Sequence, residues 1–512
     1  MRKLLPLLLL ILPITTIAQV VAPRDTIKPR RDSIVVDTTE FWNDSLFNLP
    51  RQKVLRDGAV IRPPKKKKPI RVFRVRYSDR IQYDVLGDLP MTAHAGVPSI
   101  LTLQKQLVSW EDSLLPVRWR GDTTQSERVW SALYRFGKIW LLDAPIESIL
   151  MAAEQDFFGS MARAREFELS GISYNMRAPY PLPFWKPQGS IVYNRMLVEN
   201  EASRMQLSQI SSAALDAGNI SSEILSLRWM QRHSLTYREA LHLLRVQMAG
   251  IAGVFSASAE AKPGSTAVED WLYYTNRQFG SISSYQYSAS RLKRDYALAA
   301  FTNPNLYTSL YSVFYNYMIQ GRDSMRTPAF RFGYGYSVLP WVRFGFTPFG
   351  AEWIPSVAIT HHRQMAQLYY RIGTNVFSES YGGGIKLFNF YRNTKVNLNA
   401  HVSVWKQRYF YSGWTTQEID PIGWGGMASV SGRIKLTNSW KHPMSLAFEA
   451  GYKTMGFIEG ENWQAGPVAR IGLSFALDRD YEQDDTVPAY FVPQSKEEKS
   501  KSKSKSKRKR RK

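Results

Sequence analysis

Beyond Thr327 the spacing of apolar residues changes from a period near 3.6 to a period of 2, and this change limits what the chain can become. Between 395 and 405, Val396, Leu398, Ala400, Val402 and Val404 alternate strictly with Lys395, Asn397, Asn399, His401 and Ser403. Successive side chains of a strand point to opposite faces, so each such run predicts a strand with one apolar and one polar side. The pattern recurs at 427–436, 445–453 and 467–477, with weaker copies at 329–337, 341–347, 353–360, 365–373 and 384–391. With 329–337 doubtful as a strand, the expectation is about eight antiparallel strands within 327–478.

The preceding segment reads differently. Leu101, Leu103, Leu107 and Trp110 recur near the helical period, and so do Ile146, Ile149, Leu150 and Ala153 after Asp143-Ala144-Pro145, where Asp143 is read as an N-cap. Further helices are expected at 190–216, 221–232, 236–251, 267–278 and 285–318. The fold class is therefore α+β: a mainly α domain over 77–326, then the strands.

The ends carry different information. Arg2 and Lys3, an apolar run from Leu4 to Leu12, and small residues at Thr16 and Ala18 describe a secretory signal peptide over 1–18. Residues 19–76 form a basic linker ending in Arg62-Pro63-Pro64-Lys65-Lys66-Lys67-Lys68-Pro69, expected to be disordered. Residues 479–512 form a second such tail, and much of the formal net charge of +24 lies in these two pieces. The cationic run Lys499, Lys501, Lys503, Lys505, Lys507, Arg508, Lys509, Arg510, Arg511 and Lys512 would suit nucleic acid in an intracellular protein. Export redirects it to lipid phosphates, anionic envelope polymers or the acidic face of another envelope protein. A solvating tail without a dedicated partner is the plain alternative.

Connection lengths extend the strand reading. Those at 392–394 and 437–444 are short, and those at 374–383, 406–426 and 454–466 are longer, in alternation. Strands of bilayer-crossing length, alternating loop lengths and aromatics such as Trp341, Phe344 and Trp353 near strand ends resemble the outer-membrane β-barrel class of Gram-negative bacteria, over about 150 of 512 residues. The resemblance implies an outer-membrane location with periplasmic termini and contact with lipid. The competing expectation is a soluble periplasmic sheet, whose apolar face would be covered and whose polar face would meet water. An eight-strand barrel has an interior filled by side chains, so the helical domain is expected beside or beneath it.

Catalytic signals are sparse. Without cysteine there is no disulfide and no thiolate chemistry, and no phosphate loop, nucleophile elbow or intact zinc-peptidase motif is found. Tyr381-Gly382-Gly383-Gly384 and Gly423-Trp424-Gly425-Gly426 are read as loop or bulge glycines. Asn200-Glu201-Ala202-Ser203-Arg204 resembles the zinc-peptidase H-E-x-x-H motif in outline, with both ligand positions replaced. That resemblance implies an inactive descendant, against the ordinary reading of Glu201 and Arg204 as a helix surface pair. Glu201, His233 and His242 are the candidate catalytic residues, and Glu147 and Glu154, seven apart, read as a solvated helix stripe. No cofactor and no metal are expected. Two function classes follow: a non-catalytic envelope protein that anchors or assembles a partner, and a membrane-boundary hydrolase acting on lipid, peptidoglycan or peptide.

Overall fold

The computed structural model describes residues 53–54, 60–61, 83–88, 91–114, 125–164, 174–176, 191–193, 201–258, 266–278, 286–332, 336–361, 364–374, 380–393, 395–408, 422–436 and 444–475. The expected signal peptide, most of the linker and the basic tail lie outside them. The chain divides into two compact units. In Met1–Val72 with Thr486–Lys512, the described part is a strand pair, Lys53–Val54 against Val60–Ile61. Phe73–Asp485 holds everything that follows.

This second unit is α+β. Its sheet has ten antiparallel strands: β1 (Tyr83–Gly87), β2 (Phe330–Phe332), β3 (Tyr336–Thr347), β4 (Gly350–His361), β5 (Gln364–Gly373), β6 (Tyr381–Arg392), β7 (Val396–Arg408), β8 (Ile422–Lys435), β9 (Met444–Lys453) and β10 (Gly466–Phe475). From β2 to β10 each strand pairs with the next in sequence, and β10 then pairs with β1, Phe475 opposite Tyr83 and Ile471 opposite Gly87. The β1 and β2 edges do not pair with each other, so the sheet is open along that line among the described residues. The expected count of about eight is thus corrected to ten. The doubtful 329–337 run divides between β2 and β3, and β1 comes from within the segment read as helical.

Loop lengths alternate along most of the sheet. The connection from Arg392 to Val396 is tight, since Asn393 Oδ1 accepts from the backbone amides of Lys395 and Val396 at 2.8 and 2.7 Å. The longer connections 374–380, 409–421 and 454–465 fall at the opposite end. The β3–β4 hairpin breaks the rule, being closed over two residues with Gly350 at φ 135°, where a side chain would be strained. The glycine-rich segments lie inside β6 and β8 rather than in loops. A Cβ on Gly425 would meet the Trp405 indole nitrogen at 2.3 Å, so the missing side chain makes room for a ring seated on the sheet.

The helices are α1 (Ala93–Leu114), α2 (Gln125–Lys138), α3 (Ala144–Ala152), α4 (Glu201–Arg232), α5 (Tyr237–Ser256), α6 (Ala267–Gln278), α7 (Ala289–Thr302) and α8 (Pro304–Leu310). Wider π-helical turns extend them at Ile139–Asp143, Ala153–Met161 and Tyr311–Ile319. The residues explain the boundaries. Glu239 accepts from the Thr236 amide at 3.3 Å at the start of α5, and Ser288 Oγ from Arg291 N at 3.2 Å at the start of α7. Asn303-Pro304 separates α7 from α8. Asp143, expected as an N-cap, makes no capping bond, because the helix runs through it and its side chain turns into the core.

Helix α4, expected as two pieces, is continuous over 32 residues. It is buried although rich in serine, and Ser211 and Ser226 donate to the carbonyls of Leu207 and Ser222 at 2.8 and 2.7 Å. Small self-satisfied side chains permit close approach. A Cβ on Gly159 would lie 2.5 Å from the Ala213 carbonyl oxygen.

Candidate functional site

Along most of its width the sheet has its polar face covered, whereas at the β3–β4 end the other face is covered too, Phe344, Phe346 and Ala351 packing on α5, α6 and α7. Along β7, Val402 and Val404 are 52% and 49% exposed, while Ser403 and Trp405 between and after them are 2% and 1% exposed. Along β10, Ile471 is 63% exposed and Arg470 5%. A sheet packed on a water-soluble core shows the reverse, with the apolar side covered. Of the helices, α4 packs on this polar face at β3 and β4.

Ion pairs join the two layers. Glu223 of α4 takes Arg343 of β3 at 3.2 Å and Lys386 of β6 at 2.7 Å. Arg343 also reaches Glu459 of the 454–465 loop at 2.8 Å, and Glu459 accepts from Asn219 of α4 at 3.0 Å. Within the sheet and its loops, Arg470 binds Asp88, Glu449 and Glu461 at 3.0, 2.8 and 2.6 Å, while Arg433 binds Asp84 at 2.7 Å. Near the far end of α4, Leu227 and Met230 pack on Leu339, Trp341, Ala358 and Met365.

A second charged centre lies within the helices. His242 of α5 is fully buried between two fully buried carboxylates. Its Nδ1 is 2.9 Å from Glu147 of α3, and its Nε2 is 3.1 Å from Glu154 in the following π-helical turn. Gln104 of α1 donates to Glu147 at 2.8 Å, and Ser221 of α4 lies 3.2 Å from His242 Nε2. The cluster extends to Asp143, which accepts from Tyr237 OH at 2.7 Å and pairs with Lys138 at 3.4 Å. Arg238 Nη1 approaches Asp143 Oδ1 to 2.6 Å, close but off the angle of a hydrogen bond. Glu111 pairs with both Lys138 and Arg238. Four carboxylates thus share the cations of Lys138, Arg238 and His242.

Burial alone would push the His242 imidazole below its ordinary value. The carboxylates of Glu154 and Glu147 outweigh burial, and the imidazole is pushed up to about 10. At neutral pH both ring nitrogens therefore donate to carboxylates and no lone pair remains for a metal or a proton. The geometry makes His242 an ionic link between α3, its π-helical extension and α5. Among the described residues no group of three or more acidic and histidine side chains has metal-holding geometry.

The three candidate catalytic residues are not brought together. Glu201 begins α4 and His233 follows its last residue, which by the helical rise puts their backbones roughly 48 Å apart. The Glu201 and Arg204 side chains and Asn200 lie outside the described residues, so neither their surface pair nor the peptidase outline has a geometry here. His233 sits in the turn before Ser234–Thr236 with φ 55° and accepts from Thr327 N at 3.1 Å through its carbonyl. Arg326 and Arg331 are its charged neighbours.

Glu147 and Glu154, read as a solvated stripe, are instead core residues. Seven residues complete two helical turns, so both fall on one face, and that face is the one α5 covers. The signal for it was His242 itself, set among Leu241, Leu243 and Leu244, where a buried imidazole needs partners. Comparison with protein families, with curated proteins and with solved structures finds no match for this chain.

Proposed function

We propose that the chain is an exported envelope protein whose ten-stranded sheet stands in the outer membrane as a barrel-like wall. Its apolar face meets acyl chains, and its polar face holds the helical layer. The observation that carries this reading is the polarity of the sheet from β5 to β10, where charged and hydroxyl side chains such as Arg371, Ser403 and Arg470 are buried while Leu368, Val402, Val404 and Ile471 are exposed. Strands β3 to β10 run for 10 to 14 residues, and 12 residues at about 3.3 Å each, tilted by about 40°, cover roughly 30 Å, the depth of a bilayer's hydrocarbon. No described helix is long and apolar enough to cross a membrane, which leaves crossing by strands untouched.

The start of β1 and the end of β10 lie at the end of the sheet with the tighter connections, the periplasmic end by the rule of short inner turns. The basic tail after β10 is then periplasmic and placed to attract lipid phosphates or anionic polymers. His242 as a closed ionic link favours a framework role over proton abstraction. The activity proposed is therefore anchoring or assembly of a partner in the envelope.

Fractionation followed by gel mobility with and without heating tests the reading. Recovery in the outer membrane, with a mobility that changes only on boiling, is the expected result. Recovery in the soluble periplasm with no heat-dependent form would overturn it.

A further inference from the structure

The open side of the sheet is bridged by helices, and α2 among them shares its inverted polarity. Beside the β1 edge, Ser99 Oγ of α1 receives the Leu86 amide at 3.1 Å, and the Thr102 hydroxyl lies 2.9 Å from the Asp84 carbonyl and 2.8 Å from that of Pro98, its proton serving one or the other. Side chains of α1 thus occupy backbone groups that a neighbouring strand would otherwise pair. Glu111 near the end of α1 pairs with Lys138 at the end of α2. Arg135 of α2 donates to the carbonyls of Met318 and Ile319 at 2.9 and 3.3 Å. In the same π-helical turn, Asn316 donates to the Ser324 carbonyl at 3.1 Å, and the chain from Ser324 leads directly into β2. A continuous series of contacts therefore runs from one sheet edge to the other through α1, α2 and Tyr311–Ile319.

Helix α2 and Tyr311–Ile319 turn polar residues inward. Arg135, Ser131, Ser312 and Asn316 are buried, whereas Trp130 is 68% exposed and Leu141 84%, with Leu133, Phe314 and Ile319 also outward. An amphipathic helix on a core in water buries its apolar stripe and exposes the other. In α2 the arrangement is reversed and Tyr311–Ile319 shows it in part, Val313 and Tyr317 being buried, while α1 buries Val97 and Leu101 and exposes Leu103 and Trp110.

Resting on the proposed membrane setting of the sheet, we propose that α1, α2 with Ile139–Asp143, and Tyr311–Ile319 form the remaining wall of the structure and face the acyl chains of the same bilayer. Two observations single out lipid as the occupant. The outward surface continues that of the sheet, with Val85 of β1 and Phe330 and Phe332 of β2 exposed at its edges, and α1 places hydroxyls against the β1 backbone beside the gap, Ser99 taking the Leu86 amide, as a hydrocarbon setting favours. Exposed Trp and Tyr in these helices suit the region where tails meet headgroups.

The cysteine-free chain permits a clean test. The full-length variants Leu133→Cys, Leu141→Cys and Ile319→Cys, with Val404→Cys as the sheet control, would carry an environment-sensitive fluorophore in phosphatidylcholine vesicles. Each is compared for quenching by dibrominated acyl chains and by aqueous iodide, after retention of the unlabelled protein's heat-dependent mobility has been checked. The proposal expects all four sites to be quenched severalfold more by bromolipid than by iodide. Bromolipid quenching at Val404 with iodide quenching at the three helical sites would overturn the helical wall and leave the sheet in the membrane. Bromolipid quenching at Val404 with protection of the helical sites from both quenchers would assign that surface to a second copy or another protein, and also overturns it. Iodide quenching at Val404 itself would remove the membrane setting and the proposal with it.

Discussion

Arg343→Ala should lower stability by roughly 3–5 kcal/mol, the usual cost of removing one partner from a buried ion pair. Arg343 is buried and holds Glu223 at 3.2 Å and Glu459 at 2.8 Å. Without it Glu223 keeps Lys386, but Glu459 keeps only the Asn219 amide among its close partners on α4. The loss should therefore appear where the 454–465 loop and α4 meet β3. The midpoint of denaturant unfolding in detergent is the measurement, and Arg343→Met with Glu459→Gln should recover much of the loss, since the charge left behind is then neutralised. A single variant as stable as the wild type would remove the ion pairs from any account of how the helices are held.

His242→Leu should be equally severe, because it leaves Glu147 and Glu154 facing each other in a dry interior. Combining it with Glu147→Gln and Glu154→Gln should restore a large part of the stability. The pH dependence has a definite sign. The imidazole is near 6.5 in the unfolded chain and near 10 in the fold. Its contribution is thus fully present below pH 6.5 and is lost progressively as the pH rises through about 10. The slope between those limits is at most about 1.4 kcal/mol per pH unit. The triple variant should lack that slope, and an unchanged slope would show that His242 is not the group responsible.

Most strands were legible because alternation is a local property. Residues 395–405, 445–453 and 467–477 lie within one to three residues of the boundaries of β7, β9 and β10. Strand β1 was hidden for the opposite reason, since its partner β10 lies almost four hundred residues away and five residues carry little pattern. Alternation also says nothing about which face is covered. Val402 and Ser403 read the same whichever face is covered, and only the fold shows Ser403 buried and Val402 exposed. The charged centre in the helices needed α5 to meet α3 and its π-helical extension some ninety residues away, so the Glu147 and Glu154 stripe and His242 could be seen separately but not as a set.

The most direct measurement of the account is a spin-label scan of single cysteines at 401–405 in vesicles, reading collision with oxygen, which concentrates in lipid, against a water-soluble nickel chelate. The account predicts a period of two. Labels at Val402 and Val404 should be accessible to oxygen and protected from nickel, and labels at His401, Ser403 and Trp405 should be immobilised and shielded from both. Ready access of nickel to Val402 and Val404 would contradict it, because the face on which the membrane assignment rests would then lie in water.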